Sequence, residues 1–240
     1  MSNGGNEPGS NSLALQPVTG LSNAKEQLRF RCREAGPGAL NDLEILTLLL
    51  VPLYRWDHAQ TTARRLLSEF QSLPELLNAP RHRLMELPGG GPVLADTVSA
   101  IQQCIVRSAR ADSSERRILD SWSELIDYVQ VTMGYLEIEQ FRCLFLNKKN
   151  SLIADEVMQE GTVDHTPVYP REVMRRALIL QASAVILVHN HPSGDPSPSR
   201  PDIQMTRQLI DIAKPLNIEI HDHIIVARGM AVSFKGLNLI

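Results

Sequence analysis

Residues 183–202 read SAVILVHNHPSGDPSPSRPD, and the rest of the chain is most easily read outward from them. The run Ala184–Val188 is short, wholly apolar and bounded by polar residues, which is the pattern of a buried strand. His189 and His191 end it. Side chains at i and i+2 of a strand share a face, so both imidazoles can reach one point. The next ten residues hold Pro192, Gly194, Pro196, Pro198 and Pro201. They exclude regular structure and leave enough chain to curl back and deliver Asp202 at the start of a following helix.

Two histidines and an aspartate offer two nitrogens and an oxygen. Such a set suits zinc with a fourth position left for water. Bound zinc lowers the pKa of that water to roughly 7. Ser199, three residues before Asp202, is placed to donate a hydrogen bond to a developing oxyanion. The chemistry also needs a general base, a carboxylate that is not itself a ligand.

Around this segment the hydrophobic period changes along the chain. Residues 24–110 read as helical. NDLEILTLLL (41–50) has Asn41 or Asp42 as N-cap and Glu44 in its first turn. Ala59, Ala63, Leu66, Leu67 and Phe70 form one helix face. The polar stretch ADSSERRILD (111–120) reads as a linker, followed by a helix with Ser121 or Ser123 as its cap. Beyond it, EQFRCLFLNKKNSLIADEVMQEG reads as two strands turning at Asn147–Asn150, and REVMRRALILQ as a helix. PDIQMTRQLIDIAKPL is a further helix, and IEIHDHIIVARGMAVSF two more strands turning at Arg228–Gly229. The second half is therefore an α/β or α+β domain with an apolar central sheet.

Composition bounds the function. The chain has 240 residues, 43% of them hydrophobic, and a net charge of −3, so no basic field covers the molecule. Nucleic-acid binding would have to come from a local patch. Cys32, Cys104 and Cys143 are far apart and form no CxxC pair; the expectation is buried, reduced thiols. No apolar run approaches the ~20 residues of a membrane span. Residues 1–23 begin with a Gly-, Ser- and Asn-rich stretch without the features of a signal peptide, and read as a disordered tail. A cytoplasmic location is expected.

HNHP followed after the loop by SRPD resembles the JAMM motif of the JAB/MPN metalloprotease superfamily. The wider text GTVDHTPVYPREVMRRALILQASAVILVHNHPSGDPSPSRPDIQMTRQL resembles the RadC family, bacterial proteins historically labelled DNA repair proteins. The resemblance covers residues 24–240 and is most specific in the second half. It implies a JAB/MPN-like α/β (α+β) domain over 121–240, with a mixed sheet flanked by helices. A small all-helical, helix-hairpin-helix-like domain would precede it over 24–110. It implies zinc on His189, His191 and Asp202, with Ser199 at the superfamily's serine position. The superfamily's base is a glutamate at the beginning of a strand, which falls on Glu139; Glu156 is the next candidate, and Glu137 and Glu160 are further rivals. Tyr169 stands where the family usually has histidine. Asp222 and His223 match a family DH pair, either structural or orienting a ligand. His221 has no counterpart, and His165 reads as a loop residue.

LPGGGPVLADTV resembles a helix-hairpin-helix turn, with Gly89, Gly91 and Ala95 in frame. Such a turn meets DNA phosphate with backbone N–H groups. Here Gly90 replaces an apolar residue and Pro92 lacks a donor, which favours a structural hairpin. Arg107, Arg110, Arg116 and Arg117 follow it, either near phosphate or in a solvated linker. The expected function is a zinc-dependent hydrolase acting on a peptide or isopeptide. The alternative is a DNA-binding accessory protein of repair or replication with a structural or idle metal site.

Overall fold

The computed structural model describes residues 24–115, 122–161 and 168–240. The expected disordered tail, Ser121, His165, Arg116 and Arg117 lie outside them. The chain divides into two compact units between Glu69 and Phe70.

The first unit holds α1 (Ala24–Ala35), α2 (Asp42–Leu50) and nearly all of α3 (Trp56–Phe70). Asn41 caps α2 in a capping box. Its Oδ1 accepts from the Glu44 N–H at 3.0 Å, and Glu44 Oε2 accepts from the Asn41 N–H at 3.0 Å. Glu44 also takes a 2.6 Å ion pair from Arg31 on α1. Two of the orphan donors of α2 are thereby satisfied, and the two helices are joined.

The second unit begins with α4 (Leu73–Leu77), α5 (Arg81–Glu86) and α6 (Pro92–Glu115). The division differs from the expected boundary at 110. These helices pack on one another, and α6 also packs on α7 (Trp122–Met133) and β2 (Leu152–Gly161), so they belong with the sheet. Residues 111–115, expected to be linker, continue α6 as helix; 116–120 lie outside the described residues.

The sheet comprises β1 (Glu139–Leu146), β2, β3 (Ala184–Asn190), β4 (Glu219–Ala227) and β5 (Met230–Ser233), in the order β2-β1-β3-β4-β5. It is mixed: β3 and β4 are parallel and every other pair is antiparallel. Two antiparallel neighbours are joined by short turns. The parallel pair needs a crossover, which α9 (Arg200–Ala213) supplies. The remaining helix, α8 (Pro170–Ile179), lies between β2 and β3 in the chain.

Period-2 alternation sorts β3 into two faces. Ala184, Ile186 and Val188 pack with Leu125, Val129 and Met133 of α7. Val185 and Leu187 pack with Val173 and Ala177 of α8 and Leu209 and Ala213 of α9. Every residue of β3 is buried, as a central strand between two helical layers requires. The cysteine expectation holds only for Cys143; Cys104 is exposed and Cys32 partly so, because both sit on helices that turn one side to water. Among the described residues no helix is long and apolar enough to cross a membrane.

The turn between α5 and α6 is built on glycine for two separate reasons. Gly89 and Gly91 have positive φ (85° and 141°), and Gly90 presses against backbone. A Cβ on Gly90 would collide with the Leu84 carbonyl oxygen and stand 2.8 Å from that of Leu87. Arg107 and Arg110 lie exposed further along α6. Gly90→Ala is expected to cost about 1–3 kcal/mol, the range for overpacking. Urea unfolding followed by circular dichroism checks it, with an unchanged midpoint counting against the close approach.

Candidate metal centre

His189 closes β3 on the face turned to α8 and α9. His191 follows directly, and the two Nε2 atoms lie 2.9 Å apart. The His191 ring is held by the turn its own sequence makes. In HPSGD the Gly194 N–H donates to the His191 carbonyl at 3.0 Å, and Gly194 has φ 89°. Pro at i+1 and Gly at i+3 suit such a turn. It brings the Asp195 carbonyl 2.6 Å from His191 Nδ1. A carbonyl only accepts, so His191 carries its proton on Nδ1 and turns the Nε2 lone pair to the site.

Asp202 arrives on the first turn of α9. Ser199 is the N-cap and Asp202 the N3 residue of a capping box. Asp202 Oδ2 accepts from the Ser199 N–H at 2.8 Å and from the Ser199 hydroxyl at 2.5 Å. Its other oxygen, Oδ1, lies 3.6 Å from His189 Nε2. The loop therefore delivers Asp202 to His189, and Ser199 hydrogen-bonds that carboxylate.

Glu139 opens β1. In the antiparallel register Phe141 faces His189, so Glu139, two residues back, comes opposite His191, two residues on. Glu139, His189 and His191 each present a ligand atom within 4.8 Å of the others. Burial raises the proton affinity of Glu139 above that of an ordinary carboxyl, His191 works against the rise, and Asp202 adds to it. The rivals lie elsewhere. Glu156 is bound by Arg176 at 2.5 and 2.6 Å, Glu160 accepts from Gln140 at 2.9 Å, and Glu137 is exposed.

The environment is dry on one side and open on the other. Phe141 stacks on His189 with centroids 6.3 Å apart, while His191, Asp202 and Glu139 are only partly buried. Burial is the main reason the His189 pKa falls to about 4; Asp202 opposes the fall and His191 adds to it. His189 is thus neutral at pH 7, the state in which an imidazole could hold a metal.

The donor set fits zinc. Two nitrogens bound tetrahedrally at 2.0–2.1 Å stand about 3.3 Å apart. The observed separations, 2.9 Å between the imidazoles and 3.6 Å from His189 to Asp202, bracket that value. Among the described residues the group whose ligand atoms all lie within 4.8 Å of one another is Glu139, His189 and His191; Asp202 is placed by the approach of its Oδ1 to His189 Nε2 at 3.6 Å. The surroundings of the two carboxylates differ: one Asp202 oxygen is held by the capping box, leaving the other directed at His189, whereas burial raises the proton affinity of Glu139.

Further residues support the cluster. Asn190, buried between the two histidines in sequence, points to the opposite face. Its Oδ1 accepts from the Gln140 N–H at 2.8 Å, and its Nδ2 donates to the carbonyls of Leu136 and Ile138 at 3.3 and 3.2 Å. It thus pins the segment that carries Glu139. Sequence reading passed over it, although a polar residue at a buried strand position is a signal in itself. His223 is fully buried beside His189, with ring nitrogens 2.8 Å apart, and Thr206 is 2.6 Å from its other nitrogen. Asp222 has a different task. It accepts from Ser233 at 2.5 Å and from the Lys235 N–H at 3.0 Å, tying β4 to the chain after β5.

Two other candidates have different surroundings. His221 bonds Asn150 at 3.1 Å and pairs with Glu219 at 2.9 Å. Tyr169 is an exposed N-cap of α8.

Asn190→Ala would remove three hydrogen bonds to partly buried backbone groups, at a cost of about 1–3 kcal/mol. A lowered thermal midpoint checks this. A second expectation concerns pH. Between about 6.5 and 4 the unfolded chain protonates His189 and the folded chain does not, so stability is lost as pH falls through that window. His189→Asn should flatten the fall in thermal midpoint of metal-free protein over the same range; an equally steep fall would contradict the assignment.

The family model described as the RadC-like JAB domain matches residues 119–239, which span the sheet, α7 to α9 and every residue of the cluster. The match covers half of the chain, and the chain belongs to the RadC family, whose JAB domain is commonly hydrolytic.

Proposed function

We propose that this protein is a zinc-dependent hydrolase that cleaves an amide bond, in a peptide or an isopeptide, at the cluster at the end of β3. The observation that carries the reading is the convergence of His189, His191 and the Glu139 carboxylate, whose proton affinity is raised, with Asp202 Oδ1 3.6 Å from His189 Nε2. His189, His191 and Asp202 would hold the metal. Zinc, when bound, supplies Lewis acidity that acidifies water and polarises a carbonyl.

The chain's own residues supply the proton traffic. Glu139 takes a proton from water at its carboxylate and gives it to the departing amine nitrogen, a task that favours a carboxyl with pKa shifted toward neutrality. Ser199 turns its hydroxyl from Asp202 to the carbonyl oxygen as charge develops there. Asn190 keeps Glu139 in register with His191, and Phe141 keeps water from the buried side of His189.

The experiment is a pair of variants on purified protein. Wild type is expected to carry one zinc per chain, measured by mass spectrometry of the metal. His191→Ala should lose it. Glu139→Gln should keep it and lose about 10²–10⁴ in turnover of an amide substrate. Zinc lost in Glu139→Gln but retained in Asp202→Asn would exchange the two roles. Wild type without stoichiometric zinc would end the reading.

A further inference from the structure

His189 has two tautomers, and only one binds a metal through Nε2. A simple local arrangement would put its proton on Nε2 and donate it to His191 Nε2, 2.9 Å away. The surrounding hydrogen bonds select the other tautomer, and the selection can be followed proton by proton.

It starts on α9. The Asp202 carbonyl has no proton, and the Thr206 hydroxyl lies 2.6 Å from it. Two oxygens at that distance need a hydrogen between them, so Thr206 spends its only hydroxyl proton there. Thr206 Oγ1 then has only lone pairs for His223 Nδ1, 2.6 Å away, and His223 must carry its proton on Nδ1. A neutral imidazole has one N–H, so His223 Nε2 is an acceptor. His189 Nδ1, 2.8 Å from it, must donate. The His189 proton therefore sits on Nδ1, and its Nε2 is left as a bare lone pair.

His191 reaches the same state through the Asp195 carbonyl. Two bare lone pairs then face one another at 2.9 Å, an arrangement that favours a cation between them. Burial keeps the relay free of water: His189, His223 and Thr206 are all buried, and Phe141 and Phe234 pack on the His223 ring with centroids at 5.8 and 4.3 Å.

We infer that Thr206 and His223 are positioning residues that set the tautomer of His189, so that the backbone carbonyl of one metal-site residue, Asp202, presets the imidazole of another. The inference deepens the zinc reading and rests on it for its consequence, though not for its geometry. Partners that orient a ligating histidine typically carry 10–100-fold in metal affinity.

The test uses the full chain labelled with ¹⁵N-histidine. In metal-free wild type at neutral pH, long-range ¹H–¹⁵N correlation is expected to show His189 and His223 as Nδ1–H tautomers. Thr206→Val removes the hydroxyl and keeps the side-chain shape. It frees His223 to place its proton on Nε2, which drives His189 to the Nε2–H form. Zinc affinity by chelator competition should then fall by about tenfold or more, while Thr206→Ser, which retains the hydroxyl, should stay within about threefold of wild type. An Nε2–H His189 in wild type, or Thr206→Val binding zinc as wild type does, would overturn the relay. The wild-type spectrum needs no variant to fold. If wild type bound no zinc the metal reading would fall, and the spectrum would still decide the relay.

Discussion

The parallel pairing of β3 with β4 is the constraint on which the site depends. Parallel neighbours cannot be joined by a tight turn, so the chain must leave the end of β3, pass over the sheet and return. The returning element is α9, whose first turn therefore lies near the end of β3, where the histidines are. The same pairing sets His223 of β4 opposite Leu187, next to His189 on the same face. One backbone arrangement thus supplies a carboxylate from one side and a buried imidazole from the other.

Around that frame, the atoms of the site residues that do not face the cluster have work elsewhere. His191 Nδ1 is held by a carbonyl, one Asp202 oxygen by a capping box, and His189 Nδ1 by His223. Committed in this way, these side chains have few other orientations open to them. A site assembled so pays its conformational entropy during folding, before any ligand arrives. The capping box shows the economy of this, since one Ser–Asp pair both starts α9 and aims the remaining Asp202 oxygen at His189.

Much of the second half was legible because its signals are local. A buried apolar run, two histidines two apart and a proline-rich loop need no knowledge of the rest of the chain, and the strands, turns and helices read from them correspond closely to those observed. The N-terminal organisation was less legible. A polar stretch at 111–120 reads as a linker by composition, yet 111–115 complete a turn of α6. Composition also does not reveal that α4 to α6 fall in the same compact unit as the sheet.

By itself, the sequence determined the strand that ends in His189 and His191, the irregular loop after it, and the helix that Asp202 opens. Each follows from residues within one turn or one strand of each other. Tertiary structure alone decided which glutamate stands beside the histidines and which tautomer His189 adopts. Glu139 and Glu156 both lie on strands, and only the pairing of Phe141 with His189, together with the Arg176 ion pair, separates them. The tautomer depends on Thr206 and His223, which lie 17 and 34 residues from His189 in the chain and meet it only through hydrogen bonds in the folded core.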